Sequence, residues 1–259
     1  MNIVVCIKQV PDTTEIKWTE NNTIQREGVE SIINPYDVYA IEEALKLKNI
    51  IPDANITVIT MGPLQAQDML KKAIATGCDD AVLISDKKFA GADTYATAKT
   101  ISAAIKTVKP DFDLIICGQF AIDGDTAQTG PGIATQLNIP QITFSKGITK
   151  VEDNYFYAVR EIEEGLETVK FKTPALLCIL KGYEEPTRAT INGIKKAQHS
   201  EIKILSLEDI GLSPEQVGIK GSPTYVSKAF RPERKRSECN FCDIDSLIEN
   251  IKKFGGINE

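Results

Sequence analysis

Histidine is almost absent from this sequence: His199 is the single one among 259 residues. Serine-type catalytic triads and imidazole-based metal clusters both depend on histidine, so these two classes of site are excluded. His199 itself lies in a polar stretch, where a solvated surface side chain is expected. The sequence also lacks a G-x-S-x-G motif, a Walker loop and a G-x-G-x-x-G motif after its first strand. These absences favour a binding function over bond-making chemistry performed by the chain alone.

Long apolar runs and an excess of positive charge are missing as well. No run approaches the ~18 apolar residues that span a bilayer, so no membrane span is predicted. The chain starts with Ile3–Ile7, which is typical of a buried strand rather than of a signal peptide, and the cytoplasm is the expected location. The net charge of −6 argues against nucleic acid as the main partner. A basic cluster is interpreted as a solvated arm; it comprises Lys228, Arg231, Arg234, Lys235 and Arg236.

Six cysteines are present, and their spacing predicts no metal site. Four are single and are expected to be small buried side chains in a reducing compartment; they are Cys6, Cys78, Cys117 and Cys178. The other two, Cys239 and Cys242, form one C-x-x-C pair. A closed zinc site needs four ligands, and the sequence offers no second pair. A metal shared with a partner, or a redox pair, is the alternative.

The first half of the sequence alternates short apolar runs with amphipathic helical patterns. The runs predict buried strands at Ile3–Ile7, Ile56–Thr60, Ala81–Ile84, Leu114–Cys117 and Ala175–Ile179. Between these runs, apolar residues recur at spacings of three and four, which predicts amphipathic helices around Val38, from Asp68 to Ala75 and around Ala98. Strands separated by helices indicate an α/β fold with a mostly parallel, doubly wound sheet and right-handed crossovers. The length suits one large domain with an added segment, or two small domains.

The pattern changes after about residue 140. Gln141–Lys150, Tyr155–Arg160 and Glu167–Lys172 predict a small antiparallel piece over about 141–172, with Asp153-Asn154 as its first turn. We therefore assign residues 1–210 to one α/β domain. Residues 211–259 form a C-terminal arm, because Gly211–Glu238 is polar and rich in Gly, Pro and Lys. Such a segment needs another surface to pack on, and a short helix is predicted from Asp243 to Lys253.

The loop after Leu114–Cys117 carries the main functional signal. Ligands of open α/β sheets bind beyond the carboxyl ends of the strands, where this loop lies. Asp125 or Thr126 is positioned to cap a helix that runs to about Leu137. The N–H groups at that helix start would attract phosphate, and Gly124 and Gly130 would allow close approach of the backbone. The sequence thus predicts a nucleotide site, with a capped surface loop as the alternative.

Two carboxylates beside a pyrophosphate would repel it. We therefore expect Asp123 and Asp125 to face backbone N–H groups or ribose hydroxyls. Further loops are expected at the same edge of the sheet; they are Cys6–Gln9, Asn34–Asp37, Met61–Pro63 and Phe89–Thr94. Several loops that converge on one edge are typical of a nucleotide pocket.

Several motifs together resemble one known family, the electron-transfer flavoprotein β subunits. They occur in order over nearly the whole chain: Ile7–Asp12, Asn34–Asp37, Met61–Pro63, Ala121–Gln128, Arg160–Ile162, Glu185-Pro186 with Arg188–Thr190, and Lys220–Thr224. The resemblance implies a heterodimer with an α subunit that carries FAD. In the mitochondrial type the β subunit holds AMP, and in the electron-bifurcating type it holds a second FAD. The bifurcating type takes electron pairs from NADH and sends one electron to ferredoxin or flavodoxin and the other, through the α-subunit FAD, to a dehydrogenase.

The loop Gly124–Ala127 and the segment Phe89–Thr94 are similar to the bifurcating group, which implies FAD rather than AMP. Gln119 departs from that group, in which an arginine is common at this position. The resemblance also implies that Tyr36 lies close to the α-subunit flavin. The expected cofactor-binding residues are Cys6, Asn34, Tyr36, Asp37, Met61, Gly91, Asp93, Thr94, Thr97, Gly118, Asp123, Gly124, Asp125, Thr126, Ala127, Gln128 and Thr129.

A partner-docking role is expected for the polar stretch of about 183–196. Ile191 is an aliphatic residue among polar neighbours, and in the family a recognition loop inserts one aliphatic side chain into the dehydrogenase. Lys195 and Lys196 would then steer the partner, and Glu161 is expected to contribute to docking. The alternative is that Ile191 packs back on its own domain. For the whole chain, the alternatives are a stand-alone adenine-nucleotide-binding protein and an enzyme active alone.

Overall fold

A computed structural model describes residues 1–12, 31–182, 185–227 and 241–253. Its strands are β1 (Asn2–Cys6), β2 (Gln9–Pro11), β3 (Ser31–Ile33), β4 (Asn55–Met61), β5 (Asp80–Ile84), β6 (Leu114–Gly118), β7 (Gln141–Glu152), β8 (Tyr155–Ile162), β9 (Gly165–Phe171), β10 (Ala175–Ile179) and β11 (Lys203–Leu205). Its α-helices are α1 (Pro35–Ile50), α2 (Gln67–Thr76), α3 (Thr94–Val108), α4 (Thr129–Leu137), α5 (Ile191–His199), α6 (Gly218–Gly221) and α7 (Ile244–Lys253).

Nine of the strands form one sheet in the order β11-β5-β4-β1-β6-β10-β7-β8-β9. Pairing is parallel from β11 through to β7 and antiparallel between β7, β8 and β9. Successive side chains of a strand face opposite sides of the sheet, and each side has its own core. Ile3 and Val5 pack with α1 and α2, whereas Val4 and Cys6 pack with α3 and α4. The predicted α/β class with a mostly parallel sheet is confirmed.

The antiparallel strands continue the main sheet rather than forming a separate layer. The start of the 12-residue β7 pairs with β10, and the rest of it pairs with β8. The register shifts beside Gly147, whose φ is +121°. The turn at Asp153 and Asn154 has φ of 51° and 63°, the left-handed pair that joins antiparallel strands tightly. The separate two-stranded sheet is β2 with β3.

Two helices differ from the sequence prediction. The helix predicted to be capped by Asp125 or Thr126 starts later, at Thr129, with Gln128 at its N-cap. The reason is local: Asp125 and Ala127 have left-handed φ of 51° and 54°, so the chain makes an extra turn first. Helix α5 was missed, because the stretch before residue 196 was interpreted as irregular. It begins after Thr190, whose Oγ1 accepts the Gly193 N–H at 3.0 Å.

The chain divides into two compact units, Met1–Ser227 and Lys228–Glu259. Residues 211–227 therefore belong to the first unit, although the sequence places them in the arm. Val217 is buried, and the Ile219 N–H donates to the Ala90 carbonyl at 3.2 Å. In the second unit, the described part contains the helix α7. In the ranges that the structure describes, no helix combines the length and apolarity needed to cross a bilayer.

Candidate functional site

Asp37 joins the carboxyl ends of the two central strands. It lies in the first turn of α1 and is almost fully buried. Its Oδ2 accepts the Lys8 N–H at 2.6 Å, just after β1, and its Oδ1 accepts the Gly118 N–H at 3.1 Å, at the end of β6. A Cβ at Gly118 would lie 2.7 Å from the Cβ of Tyr36, so glycine is required there. The carboxylate thus fixes two predicted site loops relative to each other.

Burial raises the pKa of Asp37 to about 7, although the hydrogen bonds from Asn34, Lys8 and Gly118 pull it downward. The folded-state pKa is therefore above the ordinary value of 3.8. Between these two pH values the unfolded chain has released a proton that the folded chain still holds. The contribution of Asp37 to the free energy of unfolding is thus fully present below about pH 4 and falls as the pH rises to about 7.

Asp37→Asn is expected to lower the free energy of unfolding by about 1–3 kcal/mol at pH 5, because an amide N–H₂ replaces one acceptor of a backbone N–H. The loss should be smaller at pH 8, since the wild type has by then lost its own pH-dependent contribution. Urea unfolding of the full-length wild type and variant at both pH values measures this loss. Because the two proteins share all other titratable groups, the pH dependence of those groups cancels in the comparison. A loss that stays equal or grows at pH 8 would contradict the raised pKa.

Asn34 holds the start of the loop after β6. It is buried, its Nδ2 donates to the Phe120 carbonyl at 2.8 Å, and its Oδ1 accepts the Ile122 N–H at 3.2 Å. Because the carboxamide uses both of its ends, loop and helix α1 are fixed together. Asn34 and Asp37 are therefore brought to the same edge as Cys6 and Gly118, as the sequence predicts.

The loop itself carries an ion pair that the sequence prediction missed. Lys8 Nζ lies 2.5 Å from Asp123 Oδ1, and the Asp123 side chain is 8% exposed while that of Lys8 is 46% exposed. We expected Asp123 to face N–H groups or ribose hydroxyls; the structure places a lysine ammonium beside it. The signal was the position of Lys8, two residues beyond the end of β1, the strand next to β6. The pair reduces the repulsion that Asp123 would exert on a bound phosphate.

Several helices begin at this edge, and of α3 and α4 only α3 is capped by the side chain of its own N-cap residue. Asp93 caps α3, accepting the Ala96 N–H at 2.9 Å. Helix α4 has Gln128 at its N-cap without a side-chain cap bond, and its first turn contains no acidic residue. The Gln128 side chain is near Thr94, whose Oγ1 donates to its Oε1 at 2.9 Å. The start of α4 is therefore the one of these two helix ends that is open to an anion.

Gly124 lies on the loop that leads to this helix end. Among the described residues, a Cβ built on Gly124 would meet only Lys8 Nζ, at 3.9 Å. A Cβ on Gly130 would lie 2.5 Å from Cys178 Sγ, so Gly130 allows α4 to pack closely on β10. A helix start without a side-chain cap, at the end of a glycine-containing loop, fits a phosphate group.

Asp93 also connects the β5–α3 loop to the segment after α6. Its Oδ2 accepts the Thr224 N–H at 3.0 Å and the Thr224 hydroxyl at 2.8 Å, and its N–H donates to Ser222 Oγ at 2.8 Å. Burial raises the pKa of Asp93, but these bonds and that from Ala96 outweigh it and leave the pKa below its ordinary value. Gly91, with φ of +73°, packs against Ile219. The β5–α3 loop is therefore held in place by residues that lie far away in the sequence, Ser222 and Thr224.

Three aromatic rings lie in a row beside the site. Tyr36 and Phe120 pack edge to face at 5.4 Å between centroids, and Phe120 and Phe144 at 5.9 Å. Phe144 has a left-handed φ of 55°, and its N–H donates to the buried Gln119 Oε1 at 2.6 Å. Gln119, which departs from the family pattern, therefore positions an aromatic ring. Phe144 is 41% exposed, so the row reaches the surface.

The other predicted cofactor residues lie at or near the same edge. Met61 ends β4, Thr97 lies in the first turn of α3 and donates its N–H to the Asp93 carbonyl, and Asp125 and Thr126 are exposed on the loop. Ala127 and Thr129 flank the start of α4. The predicted burial of the four single cysteines is confirmed. Burial raises the pKa of the Cys178 thiol to about 12, which makes it a poor nucleophile.

Two cavities are formed by residues other than those of the predicted site. One, of about 450 Å³, is lined by Ile32, Ile33, Pro35, Val38, Tyr39, Lys72, Lys181 and Pro186. The other, of about 320 Å³, lies along α3 beside Ile210 and Leu212. Neither involves the loop after β6.

The predicted docking residues lie on two different elements. Ile191 is the first residue of α5 and is 76% exposed, so it does not pack back on its own domain. Lys196 Nζ donates to the Cys78 carbonyl at 3.1 Å and lies 3.6 Å from Asp79 Oδ1, which gives it a structural contact. Lys195 is exposed on α5. Glu161, on β8, is paired with Lys146 at 2.9 Å.

Known proteins show the family of this chain. A model of the electron transfer flavoprotein domain matches residues 21–210. An electron transfer flavoprotein subunit beta from Thermoanaerobacterium thermosaccharolyticum is 46% identical over 254 residues, which cover 97% of this chain and 96% of the relative. The CarD subunit of a caffeyl-CoA reductase–Etf complex from Acetobacterium woodii is 46% identical over 236 residues, with 91% and 89% covered. An acryloyl-CoA reductase electron transfer subunit gamma from Anaerotignum propionicum is 43% identical, with 91% and 90% covered. The chain therefore belongs to the electron transfer flavoprotein family, as a β subunit with a role in electron transfer.

Proposed function

We propose that this subunit binds FAD at the carboxyl edge of its sheet and works as a heterodimer with an α subunit in the cytoplasm. The complex takes electrons from NADH and passes them to or from a flavin-containing dehydrogenase and ferredoxin or flavodoxin, as in electron bifurcation or confurcation. The names of two relatives, which refer to a caffeyl-CoA reductase and an acryloyl-CoA reductase, support a partner that acts on a CoA thioester.

The observation that supports a nucleotide most directly is the start of α4, which lacks a side-chain cap and follows the loop that contains Gly124. N–H groups at a helix start bind phosphate oxygens, and glycine leaves room for them. Bound FAD supplies two-electron exchange with a nicotinamide and one-electron exchange with other centres. The residues that would hold the binding loops in place are Asp37 and Asn34, together with Asp93 for the β5–α3 loop.

Cofactor analysis of the purified heterodimer tests this proposal. The expected result is about two FAD molecules per heterodimer, released by denaturation and quantified by absorbance and chromatography. One FAD together with one AMP would overturn the FAD assignment and support the type of β subunit that holds structural AMP. The absence of any adenine nucleotide beyond the α-subunit FAD would overturn the nucleotide site itself.

Tyr36 is proposed to lie next to the α-subunit flavin. It lies in the first turn of α1 and packs on Phe120 in the aromatic row, and Phe144 brings that row to the surface. Tyr36→Ala should shift the absorption spectrum and the reduction potential of the α-subunit FAD while the flavin content stays normal. An unaltered spectrum and potential in that variant would remove the assignment.

The C-terminal arm is proposed to pack on the α subunit. In the described part of the second unit, α7 has four exposed apolar residues at spacings of three and four, which form one face; they are Ile244, Leu247, Ile248 and Ile251. A face of this kind is costly in water unless a partner covers it. A chain ending at Ser227 should copurify less well with the α subunit; undiminished copurification would argue against this role.

A further inference from the structure

The loop that follows β6 contains two carboxylates, Asp123 and Asp125, where a phosphate is proposed to bind. Asp93 lies at the start of α3, and Thr94 after it contacts Gln128 at the end of this loop. Such a site needs positive charge as well as N–H groups to hold an anion. Among the described residues, the ammonium of Lys8 is close to Gly124, 3.9 Å from the Cβ position.

Lys8 is held in a defined place by two independent contacts. Its backbone N–H donates to Asp37, which fixes the main chain at the end of β1. Its side chain extends to Asp123, with Nζ 2.5 Å from Oδ1. The Asp123 side chain is nearly buried, whereas that of Lys8 is about half exposed. The Lys8 ammonium therefore presents its remaining N–H donors to solvent at the carboxyl edge of the sheet.

We propose that Lys8 is a phosphate-binding residue of this site and that Asp123 is its positioning partner. This inference rests on the proposed nucleotide site and adds a residue to it. An ammonium has three donors, so Lys8 can keep its bond to Asp123 and donate another to a phosphate oxygen. The Lys8–Asp123 ion pair therefore has two effects: it offsets the negative charge of Asp123, and it directs the Lys8 ammonium toward the ligand.

The test compares AMP with adenosine, because the two differ only in the phosphate. Binding is measured with the cofactor-depleted heterodimer of the full chain and its α subunit. Lys8→Met should weaken AMP about tenfold and leave adenosine nearly unchanged, since a hydrogen bond to a charged group is lost. Lys8→Arg should retain most of the AMP affinity. The dependence of AMP affinity on salt concentration should decrease in Lys8→Met.

Asp123 supplies a second measurement. In Lys8→Met the Asp123 charge is left near the phosphate without the lysine ammonium, so adding Asp123→Asn to that variant should recover part of the lost AMP affinity. Lys150→Met is the matched control: Lys150 is also an exposed lysine of an ion pair, with Glu152 at 2.7 Å. That variant should bind AMP like the wild type.

The possible results separate the two proposals. If the wild type binds neither AMP nor FAD at a second site, the nucleotide site is wrong. If the wild type binds AMP and Lys8→Met binds it equally well, only the role of Lys8 is wrong. An equal loss of AMP and adenosine in Lys8→Met would show that Lys8 only shapes the loop, and would overturn its role as a phosphate ligand.

Discussion

Gly124→Asp should remove most of the FAD from this subunit while the α-subunit FAD stays bound. Within the described part of the chain, a Cβ at Gly124 meets only Lys8 Nζ, and the Gly124 backbone is outside the left-handed region, so these residues leave room for the new side chain. The expected loss is therefore electrostatic. Two like charges about 5 Å apart repel by ~3 kcal/mol at an effective dielectric of about 20, which corresponds to roughly a hundredfold weaker binding.

A second effect acts in the same direction. The new carboxylate would compete for Lys8, which we propose as a phosphate ligand. Gly124→Asn is the matched control, because it adds a side chain of the same size without a charge and should retain most of the flavin. Flavin content and FAD affinity of the heterodimer are the measurements. Equal losses in the two variants would indicate a steric effect, and unchanged flavin in Gly124→Asp would place the phosphates elsewhere.

Ile191→Ala should cost about 1–3 kcal/mol in docking to the dehydrogenase, because an exposed aliphatic side chain that fills a partner's pocket is a typical binding hot spot. The structure strengthens this expectation. Ile191 is 76% exposed at the start of a helix that packs on α2, with Ala197 buried and Lys196 bonded to the Cys78 carbonyl. The side chain is thus presented on a fixed support.

Electron transfer to the native dehydrogenase is the measurement for Ile191→Ala, together with reduction of the flavoprotein by NADH. Electron transfer to the dehydrogenase should slow at limiting dehydrogenase concentration, and reduction of the flavoprotein by NADH should not change. Ile50→Ala is the matched control, since Ile50 is also exposed, by 63%, at the end of a different helix. Normal transfer by Ile191→Ala, or loss of its flavins, would show that Ile191 is not a docking residue.

The buried parallel strands were predicted to within one or two residues because their pattern is local, whereas the three-residue edge strand β11 was not predicted. A strand buried on both faces is an uninterrupted apolar run, and β1, β4 and β6 have that pattern. The start of α4 was predicted too early, since Asp125 tolerates a left-handed φ without requiring it and Ala127 gives no such signal in the sequence. Helix α5 was missed because it is short and only Ala197 on it is buried.

Contacts between distant segments were beyond the reach of sequence patterns. Lys8 and Asp123 are 115 positions apart, and Asp93 and Thr224 are 131 apart. Each pair depends on which strands lie side by side and on which loops meet at one edge. The motif around Lys8 was noted in the sequence, but its charge partner and its place beside Gly124 became visible only in the folded chain.

The sequence by itself determined the α/β class, the run of buried strands, the edge at which the site lies and, through its motifs, the family. Those features depend on local periodicity and on the rule that parallel strands end at one edge. The tertiary structure decided how the charges at this edge are balanced, that α4 starts without a side-chain cap, and that residues 211–227 belong to the first unit. Such outcomes depend on burial and on partners distant in sequence, and the free energy of a charge is set by its surroundings.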